Sequence, residues 1–155
     1  MESQFDEADV VIRNAYLVTM DTGRRVFQSG ALAVKNGRII AIGSDRDVEA
    51  RFTGLQTIDA AGSVVHPGFI DNHNHLCLHN MRWAYPEIPD LPHTPDPRAK
   101  SYWDICADEI EYAGSKLASL EMARNGTTCF LEAGTLTTPD AGAKAVEDVG
   151  IRGVL

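Results

Sequence analysis

The chain has 155 residues, 14 Lys plus Arg against 22 Asp plus Glu, and a formal net charge of −8. That balance leaves no basic stripe to neutralise phosphates and argues against a nucleic-acid partner. A hydrophobic content of 44% is that of a globular protein, and no apolar run approaches the roughly 20 residues of a membrane span. The N-terminus, Met1-Glu2-Ser3-Gln4-Phe5-Asp6-Glu7, lacks the basic and apolar regions of a secretory signal. Three widely spaced cysteines, Cys77, Cys106 and Cys129, fit a reducing compartment better than a disulfide framework, so a cytoplasmic protein is expected.

Residues 10–20 are rich in β-formers and read as one or two strands. Asp21-Thr22-Gly23 turns the chain. Residues 31–43 carry a hairpin signal, because Asn36-Gly37 accepts the positive φ values of a two-residue type I′ turn. Residues 57–62 add a short strand and a turn. The first 65 residues are therefore expected to form a small all-β domain, and residues 66–155 a second domain.

Val64-Val65-His66-Pro67-Gly68-Phe69-Ile70-Asp71 reads as a buried-type strand with a proline-glycine entry, and it runs into His73 and His75. Strand alternation puts these two histidines on one side, roughly 6.5–7 Å apart along the backbone. Two neutral imidazoles on one face can close on a single divalent ion, and zinc takes His nitrogens at about 2.0–2.1 Å. A bare His-x-His pair is a weak signal; the strand ahead of it is what gives it weight. Asp71 shares the face of His73. It either accepts a hydrogen bond from an imidazole, a supporting role toward the metal ligands, or caps local backbone. Cys77 fits a small packing residue better than a soft third ligand.

Prolines at 86, 89, 92, 95 and 97 exclude a regular helix over much of residues 76–100, and a long loop directly after the histidines points to an active-site loop. His79, Arg82, Trp83 and His93 lie in it. Trp83 is the best candidate to contact substrate, since an aromatic can cover a flat ring. Residues 102–124 read as a helix whose apolar stripe is Cys106, Ile110, Ala113, Leu117 and Leu120, with Glu109, Glu111, Lys116 and Arg124 solvated. Asn125-Gly126 ends it. Residues 127–131 form the next strand, and Glu132 at its end is a candidate for contacting substrate or orienting a ligand, with a solvent-facing loop carboxylate as the bland alternative. Thr138-Pro139-Asp140 starts a short helix that Gly150 caps, and a further strand begins near residue 151. The order β-α-β-α-β implies parallel strands with right-handed crossovers.

The segment Pro67-Gly68-Phe69-Ile70-Asp71-Asn72-His73-Asn74-His75 resembles the end of the first barrel strand in the amidohydrolase superfamily, with Asn74 where members often have Thr. Helix 102–124 followed by Asn125-Gly126-Thr127-Thr128 looks like the deaminase and chlorohydrolase branch. The resemblance implies a β-sandwich-like N-terminal region, completed by strands from the far C-terminus, ahead of a TIM-type (β/α)8 barrel. It implies His73 and His75 as metal ligands, with a third His, a proton-shuttling His and a metal-binding Asp on later strands. The cofactor would be one divalent ion, zinc before iron or manganese. The reaction would be hydrolysis at a carbon bearing nitrogen or halide, on a nitrogen heterocycle or cyclic amide, by a homo-oligomer. A full barrel needs about 250 residues, so this chain is expected to be the N-terminal part of a longer enzyme and inactive by itself. The strand-end motif also fits a binuclear dihydroorotase- or hydantoinase-like cyclic amidase, or a non-catalytic scaffold with a remnant barrel.

Overall fold

In the computed structural model, which describes residues 5–82 and 106–155, the chain divides into two units, Met1–Pro67 and Gly68–Leu155. In the first, β1 (Asp6–Val18) is central to a five-stranded sheet with β2 (Val26–Lys35), β3 (Arg38–Ser44), β4 (Phe52–Asp59) and β5 (Val64–Val65). The order is β3-β2-β1-β4, with β5 also on β1. β1 is antiparallel to β2 and parallel to β4 over Asp6 to Arg13, then parallel to β5 at Tyr16 and Leu17. The change of partner falls at Asn14, where φ is 53° and the register against β2 shifts. Asparagine visits this left-handed conformation more readily than most residues. Its backbone N–H donates to Asp45 Oδ1 and its amide to Asp59 Oδ1, each at 2.9 Å.

The hairpin forms where the sequence places it. Lys35 pairs with Arg38, and Asn36 and Gly37 take φ values of 52° and 70°, the signature of a type I′ turn. Helix α1 (Asp45–Glu49) is an addition that the sequence reading did not contain. Ser44 caps it by accepting the Asp47 N–H at 3.2 Å, and its Val48 enters a core with Ala8, Val11, Ala31, Ala33 and Phe52.

The expected single strand over residues 64–71 is two strands. Val64–Val65 pairs with β1, and β6 (Phe69–Asn74) belongs to the second unit. Pro67 has no N–H to give a ladder. At Gly68 a Cβ would lie 2.1 Å from Thr128 Cγ2, so the backbone runs against β7 (Thr127–Glu132) with no space for a side chain. Nor is β6 buried on both faces: Phe69 is 56% and Ile70 is 67% exposed. An apolar run predicts two covered faces, but these adjacent residues point to opposite faces and both are exposed.

β6, β7 and β8 (Arg152–Val154) form a parallel sheet in that order. A 3-10 helix (Leu76–Met81) and α2 (Asp108–Arg124) precede β7, and α3 (Pro139–Val149) joins β7 to β8. Leu76, Ala118, Met122, Phe130 and Val146 make the core between sheet and helices. The helical face of α2 departs from expectation. Its buried residues are Glu111, Gly114, Ser115, Ala118, Ser119 and Met122, while Ala113 is exposed and Leu120 is 45% exposed. Cys106 lies ahead of the helix. The reason is closeness of approach. A Cβ at Gly114 would stand 3.0 Å from the Cys77 carbonyl, and one at Gly142 of α3 would stand 3.0 Å from Leu136 Cδ1 and 3.5 Å from Ser115 Oγ. Small side chains let α2 pack against both neighbours, and that gain outweighs burying the larger stripe.

Gly153 follows the same logic on β8. A Cβ there would meet Phe130 Cζ at 2.4 Å, and that ring is 1% exposed. Gly153→Ala should cost about 1–3 kcal/mol by overpacking, read as a lower urea midpoint. An unchanged midpoint would mean that the ring has room to move.

Candidate functional site

β6 and β7 end side by side. Asn74 pairs with Glu132, and the Ala133 N–H donates to the Asn74 carbonyl at 2.9 Å. The chain leaving β6 is shaped by Asp71. Its Oδ1 accepts the backbone N–H of His73 at 3.1 Å and its Oδ2 accepts the Asn74 amide at 2.8 Å. These bonds hold its carboxyl below the usual carboxylate range, the Asn74 amide contributing most. Asp71 thus caps local backbone and fixes the path on which the histidines ride; both its oxygens are engaged there rather than on an imidazole.

The two imidazoles converge. His73 Nε2 and His75 Nε2 are 3.2 Å apart, with the ring planes at 90° and centroids 4.9 Å apart. Two nitrogens bound to one tetrahedral ion at about 2.0–2.1 Å stand about 3.3 Å from each other. The pair therefore has the spacing of one edge of such a coordination sphere. Two imidazole nitrogens this close cannot both present lone pairs unless a cation or a proton lies between them. Among the described residues no group of three or more His, Cys, Asp or Glu is assembled to hold an ion. Cys77 in particular is fully buried, and its thiol points to the carbonyl and hydroxyl oxygens of Thr135, both at 3.4 Å.

Glu132 is not a solvated carboxylate. Its side chain is 1% exposed. Oε2 accepts the Leu76 N–H at 2.8 Å, and Oε1 accepts the N–H and the hydroxyl of Thr135 at 2.9 and 2.7 Å. Three donors on two oxygens suit an acceptor-only group. The same Thr135 hydroxyl lies 3.1 Å from His75 Nδ1. A second carboxylate braces the loop that carries Thr135. Glu111, expected at the surface, is fully buried on α2, and its Oε2 accepts the backbone N–H groups of Thr137 and Thr138 at 2.8 and 3.3 Å. Thr135 and Glu111 escaped the sequence reading. The available signals are a Thr three residues past a strand-end Glu, and a lone acid on a helical face otherwise made of Gly, Ser, Ala and Met.

The other candidates fall elsewhere. His79 donates from Nδ1 to the His75 carbonyl at 3.2 Å. Arg82 forms a bidentate pair with Glu121, at 2.6 and 2.7 Å, which ties the segment after β6 to α2. The guanidinium holds the Glu121 carboxyl below its ordinary range. Trp83 and His93 lie outside the described residues.

A model of the amidohydrolase family matches residues 64–155, more than half of the chain. The chain belongs to the amidohydrolase family. It is 36% identical over 152 residues to a 5′-deoxyadenosine deaminase of Methanosarcina mazei, covering 96% of this chain and 33% of that protein. It is 33% identical over 125 residues to a 5-methylthioadenosine/S-adenosylhomocysteine deaminase of Syntrophobacter fumaroxidans, covering 81% of this chain and 28% of the relative. Among solved structures, an adenosine deaminase of Xanthomonas campestris with bound zinc superposes with a TM-score of 0.81 at 26% identity, over 97% of this chain and 34% of that one. A zinc complex of an atrazine chlorohydrolase from Arthrobacter aurescens superposes with a TM-score of 0.71 at 24% identity, over 93% and 34%, and speaks to the fold alone. The chain thus spans about a third of the length of the relatives it matches.

The Glu111 brace has a measurable worth. Glu111→Ala leaves two backbone donors without their partner and should cost about 1–3 kcal/mol, while Glu111→Gln, which keeps an acceptor oxygen, should cost less. Denaturant unfolding of the two variants gives the comparison; equal losses would show that the side chain serves as filling rather than as acceptor.

Proposed function

We propose that the protein is a metal-dependent hydrolase of carbon–nitrogen bonds other than peptide bonds, and that its reaction is deamination of a nitrogen heterocycle of the adenosine type. The observation that carries the metal reading is the 3.2 Å separation of His73 Nε2 and His75 Nε2 at the C-terminal end of β6 in a parallel sheet, where α/β barrels keep their functional groups. The substrate reading leans on the deaminase names of relatives that are 33–36% identical. Zinc is the favoured ion, since imidazole suits it and the Xanthomonas neighbour carries it. When bound, such an ion lowers the pKa of its water toward about 7 and so supplies hydroxide at neutral pH.

What this chain contributes is placement. Asp71 sets the backbone of His73, the sheet aligns both strand ends, and the Nε2 atoms of His73 and His75 would hold the ion. Two ligands are one short of the three protein ligands usual for catalytic zinc, so further ligands come from residues other than those described. The substrate is a small molecule, and Trp83 is a candidate to stack on its ring. A β-sandwich around the first unit, completed by strands from elsewhere in the whole protein, belongs to the same reading. So does inactivity of these 155 residues alone.

The test uses the full-length protein. Elemental analysis should find zinc, and 5′-deoxyadenosine, 5′-methylthioadenosine and adenosine should lose ammonia in a chelator-sensitive reaction. His73→Ala and His75→Ala should each lower kcat/KM by at least about a hundredfold, the upper end of what loss of a ligand's supporting partner costs. Full-length protein that takes up no metal, or that turns over none of these nucleosides when metal-replete, would overturn the proposal. Opening of cyclic amides in place of deamination would move the assignment to the cyclic-amidase branch.

A further inference from the structure

Thr135 has no place in the sequence-based site and stands outside both strands. It nevertheless sits between the two most constrained groups of the second unit. Its hydroxyl is 2.7 Å from Glu132 Oε1 and 3.1 Å from His75 Nδ1. Glu132 does not reach the imidazole itself: Oε1 is 4.0 Å from Nδ1, beyond hydrogen-bond range. The hydrogen-bond route from the buried carboxylate to His75 therefore runs through the threonine.

Counting hydrogens fixes the direction. A hydroxyl has one proton and two lone pairs. The Thr135 proton goes to Glu132, whose oxygens already gather the N–H groups of Leu76 and Thr135 and act as acceptors. One lone pair then faces Nδ1, and the other is within reach of the Cys77 thiol at 3.4 Å. An oxygen offering a lone pair to Nδ1 favours a proton there. A neutral imidazole with its proton on Nδ1 carries its lone pair on Nε2, the atom that faces His73 Nε2.

The hydroxyl is also held in place. Thr135 is β-branched, which stiffens χ1, and its own N–H is bonded to Glu132. Two and three residues further on, Glu111 takes the N–H groups of Thr137 and Thr138. Two buried carboxylates, one on a strand and one on a helix, thus grip the loop on either side of Leu136.

We infer that Thr135 is a positioning residue that keeps the proton of His75 on Nδ1 and so presents Nε2 as the ligand atom, with Glu132 as the acceptor that orients the threonine. The ligand half of this assignment rests on the metal reading proposed above; the tautomer half stands on the hydrogen bonds alone.

The experiment uses full-length protein labelled with 15N at histidine ring nitrogens, with His75 assigned by difference against His75→Gln. In metal-free protein near neutral pH, His75 should show a protonated-type Nδ1 shift and a lone-pair-type Nε2 shift. Thr135→Val, which keeps the shape and removes the hydroxyl, should mix the two tautomers. It should also weaken zinc binding about 10–100-fold in chelator competition. Thr135→Ser should restore both the shift pattern and most of the affinity, a rescue that a merely space-filling threonine would not produce. A wild-type His75 with its proton on Nε2 overturns the inference. So does a Thr135→Val protein with an unchanged tautomer and unchanged zinc affinity. If the valine variant does not fold, the wild-type shifts and the serine variant still decide the matter. Protein that takes up no zinc but shows the Nδ1-protonated ring supports the hydrogen-bond assignment and sinks the metal reading alone.

Discussion

The Glu132 carboxylate ties the ends of two parallel strands to each other. It is carried by β7, yet one of its oxygens holds the N–H of Leu76, two residues beyond β6. Parallel strands stop pairing where their ladder ends, and the chain beyond must find partners for its N–H groups or leave them buried and unbonded. Here a side chain takes that role. By bonding Leu76 it sets where the 3-10 helix begins, and by bonding Thr135 it sets the course of the loop after β7. His75 lies immediately before Leu76, so its ring direction follows from this closure. An apolar residue at 132 would fill the space and leave three donors without acceptors.

A second constraint lies one layer out. Helix α2 presents Gly114, Ser115, Ala118 and Ser119 inward, which allows the 3-10 helix and α3 to approach closely. Close approach has a cost, because backbone N–H groups at the start of α3 then face a tight interior. Glu111 meets it from the same helical face. The negative carboxylate near the N-terminus of α3 also has the sign that the helix dipole favours. The packing and the polar brace are thus two aspects of one surface of α2, and they serve the loop that carries Thr135.

What could be read from the sequence was what depends on neighbours along the chain. The Asn36-Gly37 turn is dictated by two residues with low strain at positive φ, and the hairpin follows. The common side of His73 and His75 is dictated by strand periodicity, and so is the order of strands and helices after residue 68. What could not be read depends on partners distant in sequence. The buried face of α2 is not legible because Gly, Ser and Ala carry little hydrophobic signal even where they are buried. Val64 and Val65 were joined to the following strand because nothing local says that their partner is β1. Carboxylates usually face water, which is the expectation for Glu111 and the alternative reading for Glu132, and only the backbone donors of Thr137 and Thr138, and of Leu76 and Thr135, reverse it.

The bond between His75 and Thr135 spans 60 positions of the chain. A ribosome adding 5–20 residues per second therefore delivers the histidine roughly 3–12 s before the threonine. During that interval the imidazole exists without the group that fixes its proton. The pair of rings emerges early in biosynthesis, but its geometry is a late acquisition, complete only when the second strand and the loop after it have docked.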